Sequence, residues 1–140
     1  MTIDIERIGE MVEDVDRYFG DLESFGIEND ESFKNLKTCY AASMVMFQIV
    51  NRTIDLGEEI LRSRRFGMPK SYANIFEMLR DRKIIDDNLA ETMIFLAKSR
   101  NVLAHEYQKI ESRDIFNVYQ KIYKVNDFIE TVKEIVKENE

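Results

Sequence analysis

The 140-residue sequence has one cysteine, one histidine, one proline, five glycines and no tryptophan. The single cysteine, Cys39, excludes an intrachain disulfide and a zinc site made of several thiolates, and we expect it to be a buried small apolar residue. One histidine likewise excludes a histidine-rich metal site. With so few glycines and prolines the chain has few tight turns, which favours long helices over many short strands.

Long apolar runs are also missing. No stretch approaches the roughly 20 apolar residues that a membrane-spanning helix needs. The N-terminal stretch MTIDIERIGEMVEDVDRYF alternates charged and apolar residues, unlike the basic start and apolar centre of a secretory signal. The motifs GxxxxGK[ST], GxGxxG and HExxH are absent as well. We therefore predict a cytoplasmic protein without a nucleotide-binding loop of these types.

Positive charge is scarce, since the net charge is −7, but it is unevenly distributed. Residues 1–31 carry two basic and eleven acidic side chains, whereas residues 62–109 carry ten basic and six acidic ones. The basic side chains either belong to ordinary solvated helix faces or form a local phosphate-binding surface. The candidates are Arg62, Arg64, Arg65, Lys70, Arg80, Arg82, Lys83, Lys98 and Arg100. From these we assign RNA binding to Arg65, Lys70 and Lys98.

Apolar residues, by contrast, are plentiful at 44% and recur at helical spacing. The pattern predicts five helical stretches, at about 3–22, 31–64, 72–82, 87–103 and 112 to near the end. The predicted N-caps are Asn29 or Asp30, Ser71, Asp86 or Asp87, and Ser112. We therefore expect an all-α antiparallel bundle of about five helices that forms one domain over residues 1–140.

The second stretch is the predicted central helix because its segment CYAASMVMFQIV is apolar on most sides. Its apolar stripe is expected to consist of Phe33, Leu36, Tyr40, Met44, Phe47, Val50, Ile54 and Leu61. In the third stretch the residues expected to face inward are Tyr72, Ile75, Phe76 and Leu79. The polar Gln48 and Asn51 on the central helix need hydrogen-bonding partners, and one interpretation is that they line a functional cleft.

Three carboxylates, Asp55, Glu58 and Glu59, follow one another closely enough on the central helix to hold a hard metal ion in principle. No Glu-x-x-His pair of the kind found in di-iron bundles accompanies them. We therefore predict no metal and no cofactor.

The motif that carries chemistry lies in the stretch KSRNVLAHEYQKIE. It places Arg100, His105 and Tyr107 within eight residues, which brings together a permanent cation, an imidazole that titrates near neutral pH and a phenol. Metal-free RNA cleavage needs proton transfer at the ribose 2′-hydroxyl and stabilisation of charge on phosphorus, which an imidazole and a guanidinium supply. The alternative is that His105 is an ordinary surface or capping residue near a helix end.

Helical geometry limits how these residues cooperate. At about 100° per residue, Arg100 and Tyr107 project about 20° apart, whereas His105 projects about 140° from Arg100. One straight helix therefore does not direct Arg100 and His105 at the same phosphate. Either the helix loosens near Ala104, or two copies of the motif meet at the axis of a symmetric dimer. Homodimerisation is thus a prediction of the mechanism.

The motif R-x4-H-x-Y resembles that of the HepT-like family in the HEPN superfamily. The likeness extends over PKSYANIFEMLRDRKIIDDNLAETMIFLAKSRNVLAHEY and, in the order and length of the helices, over essentially the whole chain. It implies a homodimeric RNA-cleaving toxin in which Arg100 and His105 are catalytic, Asn101 assists and no metal is needed. It also implies a minimal nucleotidyltransferase antitoxin that inactivates the toxin by transferring AMP to Tyr107.

Two features leave alternatives open. Many relatives have a glycine or an aromatic residue just before the arginine, where this chain has Lys98 and Ser99. The acidic net charge argues against strong nonspecific RNA binding and favours a narrow substrate or a groove at the dimer axis. The alternative function is a non-catalytic HEPN-type binding module that partners a nucleotidyltransferase or positions its substrate.

Overall fold

The computed structural model describes residues 2–105 and 112–139, with only the backbone described for His105. Within these ranges the chain is helical and contains no strand, which confirms the all-α prediction. The helices are α1 (Ile5–Ser24), α2 (Leu36–Arg64), α3 (Tyr72–Asp81), α4 (Asp87–Lys98), α5 (Arg100–His105), α6 (Ser112–Ile122) and α7 (Val125–Glu138). The five predicted stretches are recovered, with the fourth interrupted between α4 and α5 and the fifth between α6 and α7.

Helix α2 is the central element, as the sequence predicts. Its 29 residues contact every other α-helix of the described chain. Four of its side chains, Met46, Ile49, Leu56 and Ile60, are completely shielded from solvent. Burying a side chain of this size stabilises the fold by about 1.5–3 kcal/mol. No helix in the described part of the chain is both long and apolar enough to cross a lipid bilayer.

The start of α2 differs from the prediction that a helix begins near residue 31. Residues Asp30–Lys34 form a separate 3-10 helix, whose N-cap Asn29 accepts a hydrogen bond from the N–H of Glu31 at 3.0 Å. Helix α2 begins only after Asn35, whose Oδ1 accepts from the N–H of Thr38 at 3.2 Å. The extended backbone of this second asparagine cap separates the two helices.

Two further predicted caps, Ser71 and Asp86, are seen where the sequence places them, whereas Ser112 is the first residue of α6. The Ser71 side chain accepts from the N–H of Asn74 at 3.0 Å, and Asp86 Oδ1 accepts from the N–H of Leu89 at 2.8 Å. These bonds satisfy backbone donors that a helix N-terminus otherwise leaves unpaired. They fix where α3 and α4 begin.

Helix α3 packs closely against α2 because Gly57 has no side chain. A Cβ atom at this position would lie 2.6 Å from Ile75 Cγ2, which is closer than carbon atoms pack. On its other side α3 is held by Phe76, which packs edge-on against Phe128 with ring centroids 5.5 Å apart. The close contact brings the N-terminal end of α3 alongside the middle of α2.

Part of the predicted apolar stripe of α2 is not buried in this chain. Leu36, Tyr40 and Met44 are 63%, 48% and 54% exposed, so the prediction that they belong to the core is wrong. Helical spacing identifies an apolar face but does not say whether the same chain covers it. We call these three residues the α2 apolar patch. Cys39, expected to be buried, is half-buried against the core.

Candidate functional site

The interruption between α4 and α5 is formed by Ser99. Its Oγ donates to the carbonyl of Phe95 at 2.8 Å, a bond back to the preceding turn that bends helices. Helix α5 then restarts, and the N–H of Leu103 donates to the carbonyl of Ser99 at 3.0 Å. Because the Leu103 side chain is completely buried, it anchors this short helix in the core. Arg100 therefore stands at the start of α5, next to the middle of α2.

The Arg100 side chain is held in place by three residues. Its Nε donates to Oδ1 of Asn51 at 2.7 Å, and its guanidinium carbon lies 5.2 Å from the ring centroid of Phe47 and 5.1 Å from that of Tyr72. Neither terminal nitrogen donates to a residue in the described ranges. Since the polar partner is a neutral amide, the guanidinium keeps its full charge and can present its terminal nitrogens to an anion.

Arg100 opens onto a cleft along α2. A cavity of about 260 Å³ around Arg100, Gln48 and Asn51 adjoins one of about 710 Å³ between α2 and the N-terminal end of α3. Both cavities are lined by Asp55, Glu58 and Tyr72, and we call the two together the α2–α3 cleft. The interpretation that Gln48 and Asn51 line the same cleft as Arg100 is confirmed.

The carboxylates in the cleft differ in their partners. Asp55 accepts a hydrogen bond from Arg52 at 3.1 Å, and Arg52 also bonds Asp14 at 3.1 Å. Glu58 forms no hydrogen bond and no ion pair with any residue of the described ranges. Burial and, next, the charge of Asp55 raise the pKa of Glu58, while the charge of Arg7 opposes them. With no hydrogen bond among the described residues, the carboxylate of Glu58 can accept one from a ligand.

Glu59 has a structural role instead. Its side chain is only 2% exposed, and its carboxylate pairs with Arg62, lies 3.9 Å from Arg7 and accepts from the N–H of Asp4 at 3.1 Å. Burial raises the pKa of Glu59, but the hydrogen bonds from Arg62 and from the Asp4 N–H outweigh it, so the net shift is downward. This network fastens the N-terminus of α1 to α2.

The described ranges contain no cluster of three or more His, Cys, Asp or Glu side chains suited to holding a metal ion. Asp55, Glu58 and Glu59 therefore do not converge on one point.

The remaining residues of the predicted site are placed only in part. Asn101 is exposed on α5. His105 is the last residue of that helix, and only its backbone is described. Tyr107 lies outside the described residues. The backbone is helical from Arg100 through His105, and a helix break lies at Ser99, before the motif. A loosening beyond His105 falls outside the described residues.

The three basic residues assigned to RNA have different positions. Lys70 lines the α2–α3 cleft. Lys98 and Arg65 are exposed, but neither lines the cleft as far as the structure describes it.

Several other basic candidates are engaged elsewhere. Arg64 pairs with Glu138 and Arg80 with Asp81, each at 3.4 Å. Arg82 packs over the ring of Phe66, 4.5 Å from its centroid.

Two cleft residues were not identified from sequence. Tyr72 was expected to face inward, but it is 47% exposed and its ring lies beside Arg100. Its position directly after the Ser71 cap was a usable signal, because the first turn of a helix often lies at the surface. Glu58 was considered only as a metal ligand. Nothing in its spacing distinguishes it from the many solvated carboxylates of the chain.

Comparisons with known proteins bear on the fold and on the family of the chain. Over 133 residues the chain is 23% identical to the mRNA nuclease HepT of Shewanella oneidensis, with 92% of each protein covered. Its fold matches a chain of a toxin–antitoxin crystal structure with AMP-PNP at a TM-score of 0.83 and 19% identity, covering 91% of this chain and 97% of that one. It also matches the structure of a tri-AMPylated Shewanella oneidensis HEPN toxin in complex with an MNT antitoxin, at a TM-score of 0.81 and 19% identity over 91% and 96% of the two chains. Residues 8–135 match the Ribonuclease HepT-like family, and the chain belongs to that family.

Proposed function

We propose that this chain is a cytoplasmic, metal-independent endoribonuclease toxin that works as a homodimer. The observation that carries the proposal is the Arg100 guanidinium, which Asn51 orients at the head of an open cleft. An oriented guanidinium binds two phosphate oxygens through its parallel N–H groups and stabilises the charge that develops on them. The nuclease activity named for the Shewanella oneidensis relative supports the same reaction.

In the proposed reaction the ribose 2′-oxygen attacks the adjacent phosphorus, and the bond from phosphorus to the 5′-oxygen of the next nucleotide breaks. His105 takes the proton of the 2′-hydroxyl or supplies one to the departing 5′-oxygen, and Arg100 holds the phosphate oxygens. Asn101 assists by donating a hydrogen bond to the substrate. The products are a 2′,3′-cyclic phosphate end and a 5′-hydroxyl end.

The dimer is supported by the α2 apolar patch. Leu36, Tyr40 and Met44 lie on the same face of α2 as Phe47 and Asn51, which contact Arg100. Large apolar side chains clustered on a surface are typical of protein contacts. A second copy seated on this patch would bring its own α5 toward Arg100, so that Arg100 of one copy could act with His105 of the other, which the 140° separation on one helix does not allow.

We further propose that a nucleotidyltransferase antitoxin inactivates the enzyme. The phenol oxygen of Tyr107 attacks the α-phosphorus of ATP, the bond to the β-phosphate bridge breaks, pyrophosphate leaves and the phenol proton passes to a base of the transferase. Phosphate charge and the bulk of adenosine, two residues from His105, then exclude RNA. The tri-AMPylated Shewanella oneidensis HEPN toxin solved with an MNT antitoxin supports this assignment.

The test of the nuclease compares wild type with His105→Ala and Arg100→Ala, and with Arg80→Ala as a matched loss of charge outside the cleft. Expression of wild type and Arg80→Ala should arrest growth and yield cyclic phosphate ends. The two site variants should do neither. Persistence of cleavage in His105→Ala would refute the role assigned to His105, whereas no cleavage by a folded wild type would mean that the chain is a binding module.

The test of the modification incubates the chain with its antitoxin and ATP and measures intact mass. Wild type and Tyr40→Phe, which removes the phenol of an exposed residue on α2, should gain the mass of AMP and lose nuclease activity. Tyr107→Phe should gain none. Equal labelling of the Tyr107→Phe variant would assign the modification to another residue.

A further inference from the structure

We infer that the α2–α3 cleft binds one nucleobase beside the phosphate on Arg100, and that Glu58 makes the site prefer guanine and reject uracil. This inference rests on the proposed function, because it concerns the substrate of the same site. It adds a selectivity for single-stranded RNA that the motif itself does not specify.

The first support is the position of Tyr72. Tyr72 is 47% exposed, although its helix packs tightly on α2, and the guanidinium carbon of Arg100 lies over one face of its ring, 5.1 Å from the centroid, so a base would stack on the opposite face. Exposed aromatic rings serve as stacking platforms for unpaired bases. In a nucleotide a single ribose separates the base from its phosphate, so a phosphate on Arg100 places a neighbouring base at Tyr72.

The second support is the shape and lining of the cleft beyond Tyr72. The volume of about 710 Å³ falls in the usual range of roughly 300–1,000 Å³ for small-molecule sites, and a nucleoside fits in it. Its walls include the apolar side chains of Leu61, Pro69 and Ile75. Such walls suit the flat apolar faces of a base better than a sugar–phosphate chain.

The third support is charge. Asp55 and Glu58 line both parts of the cleft, whereas Arg7, Arg62 and Lys70 line only the larger part. The two carboxylates disfavour a second phosphate directly beside the one on Arg100, so this stretch of the cleft suits a base better than the backbone. Asp55 is already paired with Arg52, whereas Glu58 has no hydrogen bond or ion pair within the described ranges, so Glu58 is the acceptor that faces the base.

A carboxylate accepts hydrogen bonds and donates none while ionised. Guanine offers two adjacent donors, its ring N–H and its amino group, which match the two carboxylate oxygens. Cytosine and adenine offer one amino group each. Uracil offers one N–H between two carbonyl oxygens, and these oxygens are repelled by the carboxylate. The expected order of binding therefore begins with guanine and ends with uracil.

The experiment measures binding, so it does not depend on cleavage. Short 2′-O-methyl oligonucleotides cannot be cut, because they lack the attacking hydroxyl. Each is all uridine except for one central guanine, cytosine, adenine or uridine. Their dissociation constants are measured by fluorescence anisotropy with the full chain, using wild type, Glu58→Gln and, as a matched control outside the cleft, Glu91→Gln.

Wild type and Glu91→Gln should bind the guanine oligonucleotide at least about fivefold more tightly than the all-uridine one, as expected for a pair of specific hydrogen bonds. Glu58→Gln should lose most of this preference, because its amide has only one acceptor oxygen. Tyr72→Ala should weaken binding of all four by about 5- to 150-fold, and Tyr72→Phe should retain it.

Equal binding of the four oligonucleotides by wild type, or binding of none, would overturn the inference while leaving any observed cleavage intact. A uniform gain in affinity for Glu58→Gln would also overturn it, because the cleft would then carry phosphates. Conversely, guanine preference in a protein that cuts no RNA would refute the proposed nuclease and keep the base site.

Discussion

The close packing of α2 against α3 provides a sharp test of the fold, by the substitution Gly57→Ala. Glycine inside a helix costs about 1 kcal/mol relative to alanine, so this change should stabilise an isolated helix. Here the added Cβ would lie 2.6 Å from Cγ2 of Ile75, a buried side chain that is 1% exposed. One of the two helices must move, and Tyr72 at the start of α3 moves with it.

Overpacking a core by one methyl costs about 1–3 kcal/mol, which opposes the gain from helix propensity. The best control is Gly20→Ala, because Gly20 lies inside α1 and its added Cβ meets no atom within 4 Å. That change should raise the free energy of unfolding by about 0.5–1 kcal/mol. Gly57→Ala should therefore be less stable than Gly20→Ala by about 1–3 kcal/mol.

The assay is urea unfolding at a fixed protein concentration, since a dimer makes stability depend on concentration. The double variant Gly57→Ala with Ile75→Leu should recover stability, because leucine carries no methyl at the position of Cγ2. It should also recover RNA cleavage, which the single variant loses as Tyr72 shifts. Equal stabilisation by Gly57→Ala and Gly20→Ala would refute the reasoning.

Three further predictions follow from single contacts. Asn51→Leu removes the acceptor of the Arg100 Nε bond and should lower kcat/KM for RNA by about 10- to 150-fold, the equivalent of about 1.5–3 kcal/mol for a hydrogen bond to a charged group. Asp86→Ala removes the α4 cap and should cost about 1 kcal/mol in urea unfolding. Because the pKa of Glu59 is lowered in the folded state, its carboxylate stabilises the fold above its ordinary pKa of 4.5. That contribution is lost as the pH falls through the lowered pKa. The free energy of unfolding of Glu59→Gln should therefore fall less steeply with decreasing pH below 4.5 than that of wild type.

Each of these has its own control. Gln48 lines the same cleft but has no hydrogen bond to Arg100, so Gln48→Leu is the control for Asn51→Leu. An equal loss of activity in the two variants would refute the role assigned to Asn51. Asp87→Ala lies one residue past the cap and should cost less than Asp86→Ala. If the free energy of unfolding of Glu59→Gln fell with pH as steeply as that of wild type, other carboxylates would govern acid unfolding.

Much of the helical layout follows from local sequence. Ser71 and Asp86 cap helices because their side chains reach the free N–H groups of the next turn, and that chemistry is readable without tertiary information. The start of α2 was placed too early because Asn29 and Asn35 both have cap chemistry, and only packing decides between a 3-10 turn and a continuous helix. At Ser99 a hydroxyl bonds to the preceding turn, but Thr53 makes the same bond inside the unbroken α2, so the sequence does not single out Ser99 as the break.

The sequence predicts the chemistry of the site better than it predicts which residues surround Arg100. The order of residues marks Arg100 as a phosphate ligand, but its partner Asn51 is distant in the chain and is brought to it by tertiary packing. Periodicity treated Tyr40 and Tyr72 as core residues, because an apolar face that lies at the surface or beside a cleft has the same spacing as a buried one.

The length of α2 has a consequence for how this protein tolerates insertions. The α2 apolar patch, the amide that holds Arg100 and the carboxylate of Glu58 all lie along one helix, and about 33 Å of rigid backbone separates Leu36 from Glu58. One inserted residue between Met44 and Asn51 would rotate the patch by about 100° relative to the cleft, whereas seven would nearly restore its direction. Natural length variation in this family should therefore avoid the middle of this helix and collect in the connections around it.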